Sequence, residues 1–169
     1  MDDIKFLMID TRARVYALWG ILATGGFLAT HFYQRHAINA IWTAVAVAGF
    51  WYMWQVMPGK VRQMRQIYAA WLVPVFIGLC ISGIVFYVDA WTELIGHLGA
   101  FWLAVLAIGY FLNGVVDPPS DWYWFAAALN LAAAVACWRV EVLVADQYLV
   151  AALVSFFSMG ALWWFRPRA

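Results

Sequence analysis

Residues 94–116 read LIGHLGAFWLAVLAIGYFLNGVV, a run without a formal charge. As an α-helix that rises about 1.5 Å per residue, this run is about 34 Å long, which matches a bilayer hydrocarbon core of about 30 Å. It therefore predicts a membrane-spanning helix. An Asp-Pro-Pro segment at residues 117–119 ends the run, and a second apolar segment begins at Trp122. This succession is typical of a hairpin between two spans.

The composition extends this interpretation to the whole chain. Of the 169 residues, 67% are hydrophobic and 11% are charged, whereas soluble domains have roughly 45–50% and 25%. The class is therefore an integral membrane protein. A formal net charge of +1 argues against a nucleic-acid partner, because phosphate binding needs a strongly basic surface. The two cysteines, Cys80 and Cys137, form no zinc or redox motif and are interpreted as packing residues.

Six uncharged segments lie between the charged residues: 15–34, 36–59, 66–88, 94–116, 122–138 and 147–165. All of them fall within the range of roughly 17–25 residues that a membrane-spanning helix needs. We therefore predict an all-α integral membrane protein, a six-transmembrane-helix bundle, in a single domain over residues 1–169. Residues 1–14 mix apolar and charged side chains, which suits a segment lying at the membrane surface. No removable signal peptide is expected before the first span.

Lys and Arg predict the orientation, because they collect on the cytoplasmic side of membrane proteins. With the N-terminus inside, eight of them are cytoplasmic, and two, Arg35 and Arg139, are outside. We expect a multi-pass protein of the cell (plasma) membrane with both termini cytoplasmic. The lipid bilayer is its expected partner, and a protein partner or a homo-oligomer is left open. Most Tyr and Trp residues near span ends, Tyr16 and Tyr123 among them, are interpreted as interfacial anchors.

An internal repeat is a further hypothesis. When residue 66 is aligned with residue 147, five identical residues of 66–76 superpose on residues 147–157. With three spans in each half, the halves would be inverted, as in many secondary transporters. The sequence therefore allows two inverted three-helix halves. Pro74, inside the third span, is expected to bend that helix.

The ionisable side chains that could carry chemistry map to the outer face. On a continuous helix Asp89, Glu93 and His97 are successive neighbours four residues apart, and His31 ends the first span. Imidazole and carboxylate are suitable ligands for zinc, copper or iron. His97, Glu93 and His31 are therefore a candidate site for a divalent metal, and His31 with His97 could instead hold one haem. The alternative, which we adopt, is a set of solvated interfacial residues without any cofactor.

Deeper in the membrane the chain offers few reactive groups. No predicted span contains an internal Lys, Arg, Asp or Glu, so a proton relay through mid-membrane acids, a retinal Schiff base and a voltage sensor all lack their residue. Asn130 lies at the centre of the fifth span, and Ser155 and Ser158 lie at the centre of the sixth. We predict that these three form either a polar site or an interhelical contact.

The sequence contains none of the common enzyme signatures. There is no His-Glu-x-x-His, no Gly-x-Ser-x-Gly and no phosphate loop. We therefore expect a membrane protein without catalysis of its own that acts as a binding, accessory or assembly component. Two alternatives stay open. One is a small-solute transporter with inverted repeats, and the other is a metal- or single-haem-binding redox protein that uses the outer-face histidines.

Overall fold

The computed structural model describes residues 2–33, 38–56, 62–85, 91–117 and 121–164, and within these ranges it contains helices and no strand. The helices are α1 (Asp2–Tyr33), α2 (Ile38–Val56), α3 (Arg62–Ile84), α4 (Thr92–Gly96), α5 (Leu98–Val116), α6 (Asp121–Arg139), α7 (Glu141–Ala145) and α8 (Gln147–Trp164). The predicted all-α class is confirmed. Each of the six apolar segments corresponds to one helix of 18 residues or more. The Asp-Pro-Pro turn lies partly outside the described residues.

Three helical segments are long and apolar enough to cross a membrane: Arg14–Tyr33, Arg65–Ile84 and Leu98–Val116. They indicate a membrane protein. The apolar segment Gln147–Gly160 in α8 is shorter. Helices α2 and α6 have 19 residues each, but both are rich in Trp and Tyr, whose polar ring atoms lower the hydropathy of a segment.

Two helices continue through positions where the sequence predicts a change. Helix α1 is unbroken at residues 14–15, the predicted boundary between the interfacial segment and the first span. Its 32 residues make it about 48 Å long, which exceeds the hydrocarbon thickness of about 30 Å. Helix α3 continues through Pro74, so any bend there does not end the helix.

The six long helices form a closed ring in chain order. Helix α1 contacts α2, α2 contacts α3, α3 contacts α5, α5 contacts α6, α6 contacts α8, and α8 returns to α1. A further contact between α5 and α8 crosses the ring. Helix α5 is the most enclosed of the three candidate spans: 61% of its apolar segment is buried, compared with 44% for α1 and 39% for α3. Of these three helices, α5 is therefore the one most surrounded by other helices.

This ring order bears on the hypothesis of inverted halves. A twofold axis in the membrane plane reverses the sense in which helices follow one another around a ring. Inverted halves would therefore bring α1 next to α5 and α3 next to α8. The main contacts are instead α1 with α8 and α3 with α5. These contacts do not favour an arrangement in which two inverted halves form adjacent arcs of the ring, and the inverted halves stay a hypothesis.

Tryptophan rings set the spacing between several helices. Three buried tryptophans each cover a glycine on the neighbouring helix: Trp19 on Gly49, Trp71 on Gly109 and Trp102 on Gly78. A Cβ atom at Gly49 would lie 2.5 Å from the ring of Trp19, and one at Gly109 would lie 2.6 Å from the ring of Trp71. Glycine is needed at both positions because the ring occupies the space of a side chain. Trp19 and Trp71 are therefore core residues and not interfacial anchors.

Candidate functional site

The outer-face residues predicted as metal ligands do not share one helix. His97, with φ −121° and ψ 24°, separates α4 from α5. Its backbone N–H donates to the carbonyl of Leu94 at 3.1 Å, which is the bond of a single turn that ends there. This break corrects the continuous stripe expected from the spacing of Glu93 and His97. Asp89, the third member of that stripe, lies outside the described residues.

The two described histidines contact different aromatic rings. His97 stacks on Trp138, with centroids 4.4 Å apart and planes at 28°, whereas His31 meets Phe32 edge-on at 5.1 Å. Across the described ranges, no group of three or more His, Cys, Asp or Glu side chains is placed to hold a metal ion. The structure therefore does not bring His97, Glu93 and His31 together as a metal site. A single haem between the two histidines stays a prediction.

Two cavities adjoin Trp138 at this end of the molecule. One has a volume of about 520 Å³ and is lined by His97, Trp138, Arg139, Glu141, Val144 and Ala145. The other, of about 380 Å³, is lined by Ile81, Trp91, Glu93, Leu94, Phe101 and Trp138. Glu93 and His97 thus line different cavities, with Trp138 forming a wall of both. Exposed charged side chains around an open recess fit the interpretation of solvated interfacial residues.

Gln147 links the break between α4 and α5 to the break between α7 and α8 at the same end of the molecule. Its Oε1 accepts the backbone N–H of Gly99 at 2.7 Å and that of Ala100 at 3.2 Å. Its Nε2 donates to the carbonyls of Gly96 at 2.6 Å and Val144 at 3.0 Å. No side chain of α5 itself caps that helix at His97, so Gln147 supplies the cap from α8. Its amide is fully bonded, which makes Gln147 a structural residue.

A second group of polar side chains is buried on α1, α5, α6 and α8 or, for Asp117, directly after α5. We call it the polar column, and its members are Tyr16, Tyr110, Asn113, Asp117, Tyr123, Asn130, Ser155 and Ser158. All are at most 5% exposed. Members on the same helix are three, four or seven residues apart, so each helix presents them on one face. Helices α5, α6 and α8 contact one another, and α1 contacts α8.

At one end of the polar column, three side chains form a hydrogen-bonded chain. The hydroxyl of Tyr123 donates to Oδ2 of Asp117 at 2.8 Å. Because a hydroxyl has a single proton, Tyr16 is the donor in the 2.7 Å bond between the hydroxyls of Tyr16 and Tyr123. The chain ties α1 to the beginning of α6 and the end of α5.

Asn130 links two helices at the middle of the polar column. Its Nδ2 donates to the carbonyl of Ala126 at 2.8 Å within α6, and to Oγ of Ser158 on α8 at 2.9 Å. The second bond is an interhelical contact of the predicted kind. The hydroxyl of Tyr110 lies beside Ser158 and within electrostatic range of Tyr16, but it makes no hydrogen bond of good geometry.

Four polar atoms of the polar column have no hydrogen-bond partner among the described residues: the Tyr110 hydroxyl, Asn113 Oδ1, Asn130 Oδ1 and Ser155 Oγ. Their side chains are 0% exposed. A buried polar group left unpaired costs about 1–3 kcal/mol, and such groups in native proteins are normally paired with protein, water or ligand. These four atoms are hydrogen-bonding groups that the described residues of the polar column leave unused.

Sequence reasoning identifies the Asn and Ser members on α6 and α8 but misses the tyrosines. Tyr16 and Tyr123 lie near helix ends and are interpreted there as anchors, yet they are 3% and 5% exposed. Tyr110 and Asn113 are three residues apart on α5 and so share a face. That spacing was the available signal for a polar face on the central helix.

Substitutions at Asn130 test how much its hydrogen bonds contribute to stability. Asn130→Ala is expected to lower the free energy of unfolding by no more than about 2 kcal/mol, because interhelical hydrogen bonds in membranes contribute modestly. Asn130→Leu is expected to be nearly neutral, because it fills the space and removes an unpaired oxygen. Reversible unfolding in mixed micelles measures both. A Leu variant that loses more stability than the Ala variant would contradict this expectation.

No protein-family model matches the chain, and no curated protein or solved structure shows significant similarity to it. The class therefore follows from fold and site alone. It is an all-helical protein with three helices long and apolar enough to span a membrane and with a buried set of polar side chains on α1, α5, α6 and α8.

Proposed function

We propose that this is a multi-pass plasma-membrane protein without catalysis of its own, acting as a binding component that holds a small polar molecule in the polar column. The observation that carries the proposal is the set of four fully buried polar atoms without a partner among the described residues. Polar groups in membrane interiors are costly unless paired, and they often mark functional sites. Two members of the column, Asn130 and Ser158, face each other across α6 and α8, which supports a binding site between those helices.

The proposal includes six spans with both termini in the cytoplasm. It is supported by the ring of six long helices and by the distribution of Lys and Arg, eight against two. In this orientation the chain of Asp117, Tyr123 and Tyr16 lies at the cytoplasmic end of the bundle. The hydrogen bonds of Gln147 and the two cavities beside Trp138 lie at the outer end.

Single cysteines test the orientation. In a background without Cys80 and Cys137, Gln63→Cys and Ser120→Cys should be shielded from a membrane-impermeant maleimide in intact cells, whereas Thr92→Cys should react. The reason is that the first two positions fall in predicted cytoplasmic connections and the third in an outer one. Permeabilised cells, in which all three should react, are the control. The reverse pattern would reject the orientation.

Binding in the polar column is tested with Ser155→Ala. Because Ser155 Oγ has no partner among the described residues, this change breaks no hydrogen bond there and is expected to shift unfolding by less than about 1 kcal/mol. Small polar compounds that raise the melting temperature of the purified wild type should lose that effect in the variant.

The matched control is Ser82→Ala. Ser82 is a buried serine of α3 outside the polar column, and its Oγ donates to the carbonyl of Gly78 at 2.8 Å. This variant should keep the response to such compounds. Equal responses in the Ser155 and Ser82 variants would place the binding site elsewhere. Small-solute transport and a metal- or haem-dependent redox role stay hypotheses that no observation in the described residues favours.

A further inference from the structure

We infer that the polar column takes a small, uncharged molecule that donates hydrogen bonds, such as a simple amide or alcohol. This inference rests on the proposed binding function and specifies the ligand. Some donors and acceptors of the polar column bond to other groups of the protein, and others do not. The inference follows from the second set.

The two amides leave acceptors open. Asn130 uses its Nδ2 group twice, toward Ala126 and Ser158, and Asn113 uses its Nδ2 group toward the carbonyl of Gly109 at 2.7 Å. A carbonyl can face only a donor, so the positions of Nδ2 and Oδ1 are fixed in both side chains. What remains is the Oδ1 atom of each amide. Both atoms need a donor from outside the described chain.

The hydroxyl of Ser155 is also left open, in contrast to other buried hydroxyls. Ser82 and Thr30 each donate to the carbonyl four residues earlier, at 2.8 Å, the usual solution for a hydroxyl inside an apolar helix. Ser155 Oγ does not. The Tyr110 hydroxyl lies beside Ser158 without a hydrogen bond of good geometry. A hydroxyl can either donate or accept a hydrogen bond, whereas the two amide oxygens can only accept one. A ligand that donates hydrogen bonds can therefore pair with all of these groups.

Charge narrows the class further. None of the eight members of the polar column is a cation, and its single carboxylate, Asp117, is at one end, where it accepts from Tyr123. An anion would face open acceptors and that carboxylate, which is unfavourable. A cation beside Asn130 would be removed from water without a carboxylate partner at that depth, which is strongly unfavourable. A neutral donor meets the open acceptors without either cost.

The neighbouring side chains limit the size of the ligand. Ala126 and Ala127 precede Asn130 by one turn, Ala151 and Ala152 precede Ser155 by one turn, and all four are at most 9% exposed. Side chains this buried, on helices that contact one another, restrict the ligand to a molecule of a few non-hydrogen atoms.

Four compounds of equal size distinguish the ligand classes by thermal unfolding of the full-length protein in detergent. Acetamide donates hydrogen bonds, acetone only accepts them, acetate is an anion, and isopropylammonium is a cation. Acetamide should raise the melting temperature of the wild type in a concentration-dependent way. Acetone should need a concentration about tenfold or more higher for the same shift, because it leaves the amide oxygens unpaired. Acetate and isopropylammonium should have no specific effect.

Variants test whether acetamide acts by binding in the polar column. Ser155→Ala and Asn130→Leu should each weaken the apparent affinity for acetamide about tenfold, and Ser82→Ala should leave it unchanged. If acetone, acetate or isopropylammonium binds as well as acetamide and depends on Ser155, the ligand class is overturned but the binding function stands. If no probe shifts the wild type, or if every shift persists in Ser155→Ala, both the ligand class and the proposed binding function are rejected.

Discussion

Gly109→Ala is expected to lower the free energy of unfolding by about 1–3 kcal/mol, the usual cost of overpacking a core. The added methyl group would lie 2.6 Å from the ring of Trp71. That ring is 3% exposed and packs edge-on against Tyr110 with centroids 5.0 Å apart, so it cannot shift without displacing a member of the polar column. Reversible unfolding in mixed micelles measures the loss.

The matched control is Gly25→Ala. A Cβ atom at Gly25 meets nothing within 4 Å, so this variant should be as stable as the wild type or more stable by up to about 1 kcal/mol, because alanine favours the helix. Trp71→Phe combined with Gly109→Ala should recover part of the loss, since a smaller ring leaves room, and a double-mutant cycle gives the coupling. A Gly109 variant as stable as the Gly25 variant would refute the steric explanation.

Gln147→Leu is expected to lower the free energy of unfolding by about 2–6 kcal/mol, because it leaves two buried backbone N–H groups unpaired at about 1–3 kcal/mol each. The N–H groups of Gly99 and Ala100 lose their acceptor, and the carbonyls of Gly96 and Val144 lose their donor. The same unfolding assay applies. Faster hydrogen exchange at Gly99 and Ala100 would locate the damage at the start of α5.

Gln66→Leu provides the comparison, since Gln66 is exposed on α3 and its replacement should change stability by less than about 0.5 kcal/mol. Gln147→Glu keeps an acceptor for the two N–H groups but places a buried carboxylate oxygen against the carbonyls of Gly96 and Val144, so it should also be less stable than the wild type. If Gln147→Leu loses no more stability than Gln66→Leu, the hydrogen bonds of Gln147 do not stabilise the bundle.

The long helices could be predicted from the sequence, because an apolar segment between charges is a local property of the chain. The run 94–116 and helix α5, which spans residues 98–116, differ only at the beginning. The break at His97 could not be predicted in this way. Gly99 and Ala100 are capped by Gln147, which is far away in the chain, and nothing near His97 in the sequence signals that partner.

The candidate site was predictable only in part, for a similar reason. Asn130 stands alone in an apolar run, and an isolated amide at that depth must find a partner. Aromatic residues give no such signal, because tyrosine and tryptophan suit both a membrane interface and a packed core. Trp19 and Trp51 both fall near predicted inner ends, yet they are 8% and 66% exposed. Only the packing of neighbouring helices separates the two cases.

The contact between α1 and α8 has a consequence for the timing of biogenesis. The Thr24 hydroxyl donates to the carbonyl of Ala152 at 3.5 Å, between residues 128 positions apart, and Ser158 on α8 is the partner of Asn130. A ribosome delivers α1 long before α8, so contacts of such sequence separation form late. Until α8 has been made, Asn130 lacks its interhelical bond and the ring of helices stays open. The bundle therefore completes its packing only when synthesis of the last helix is finished.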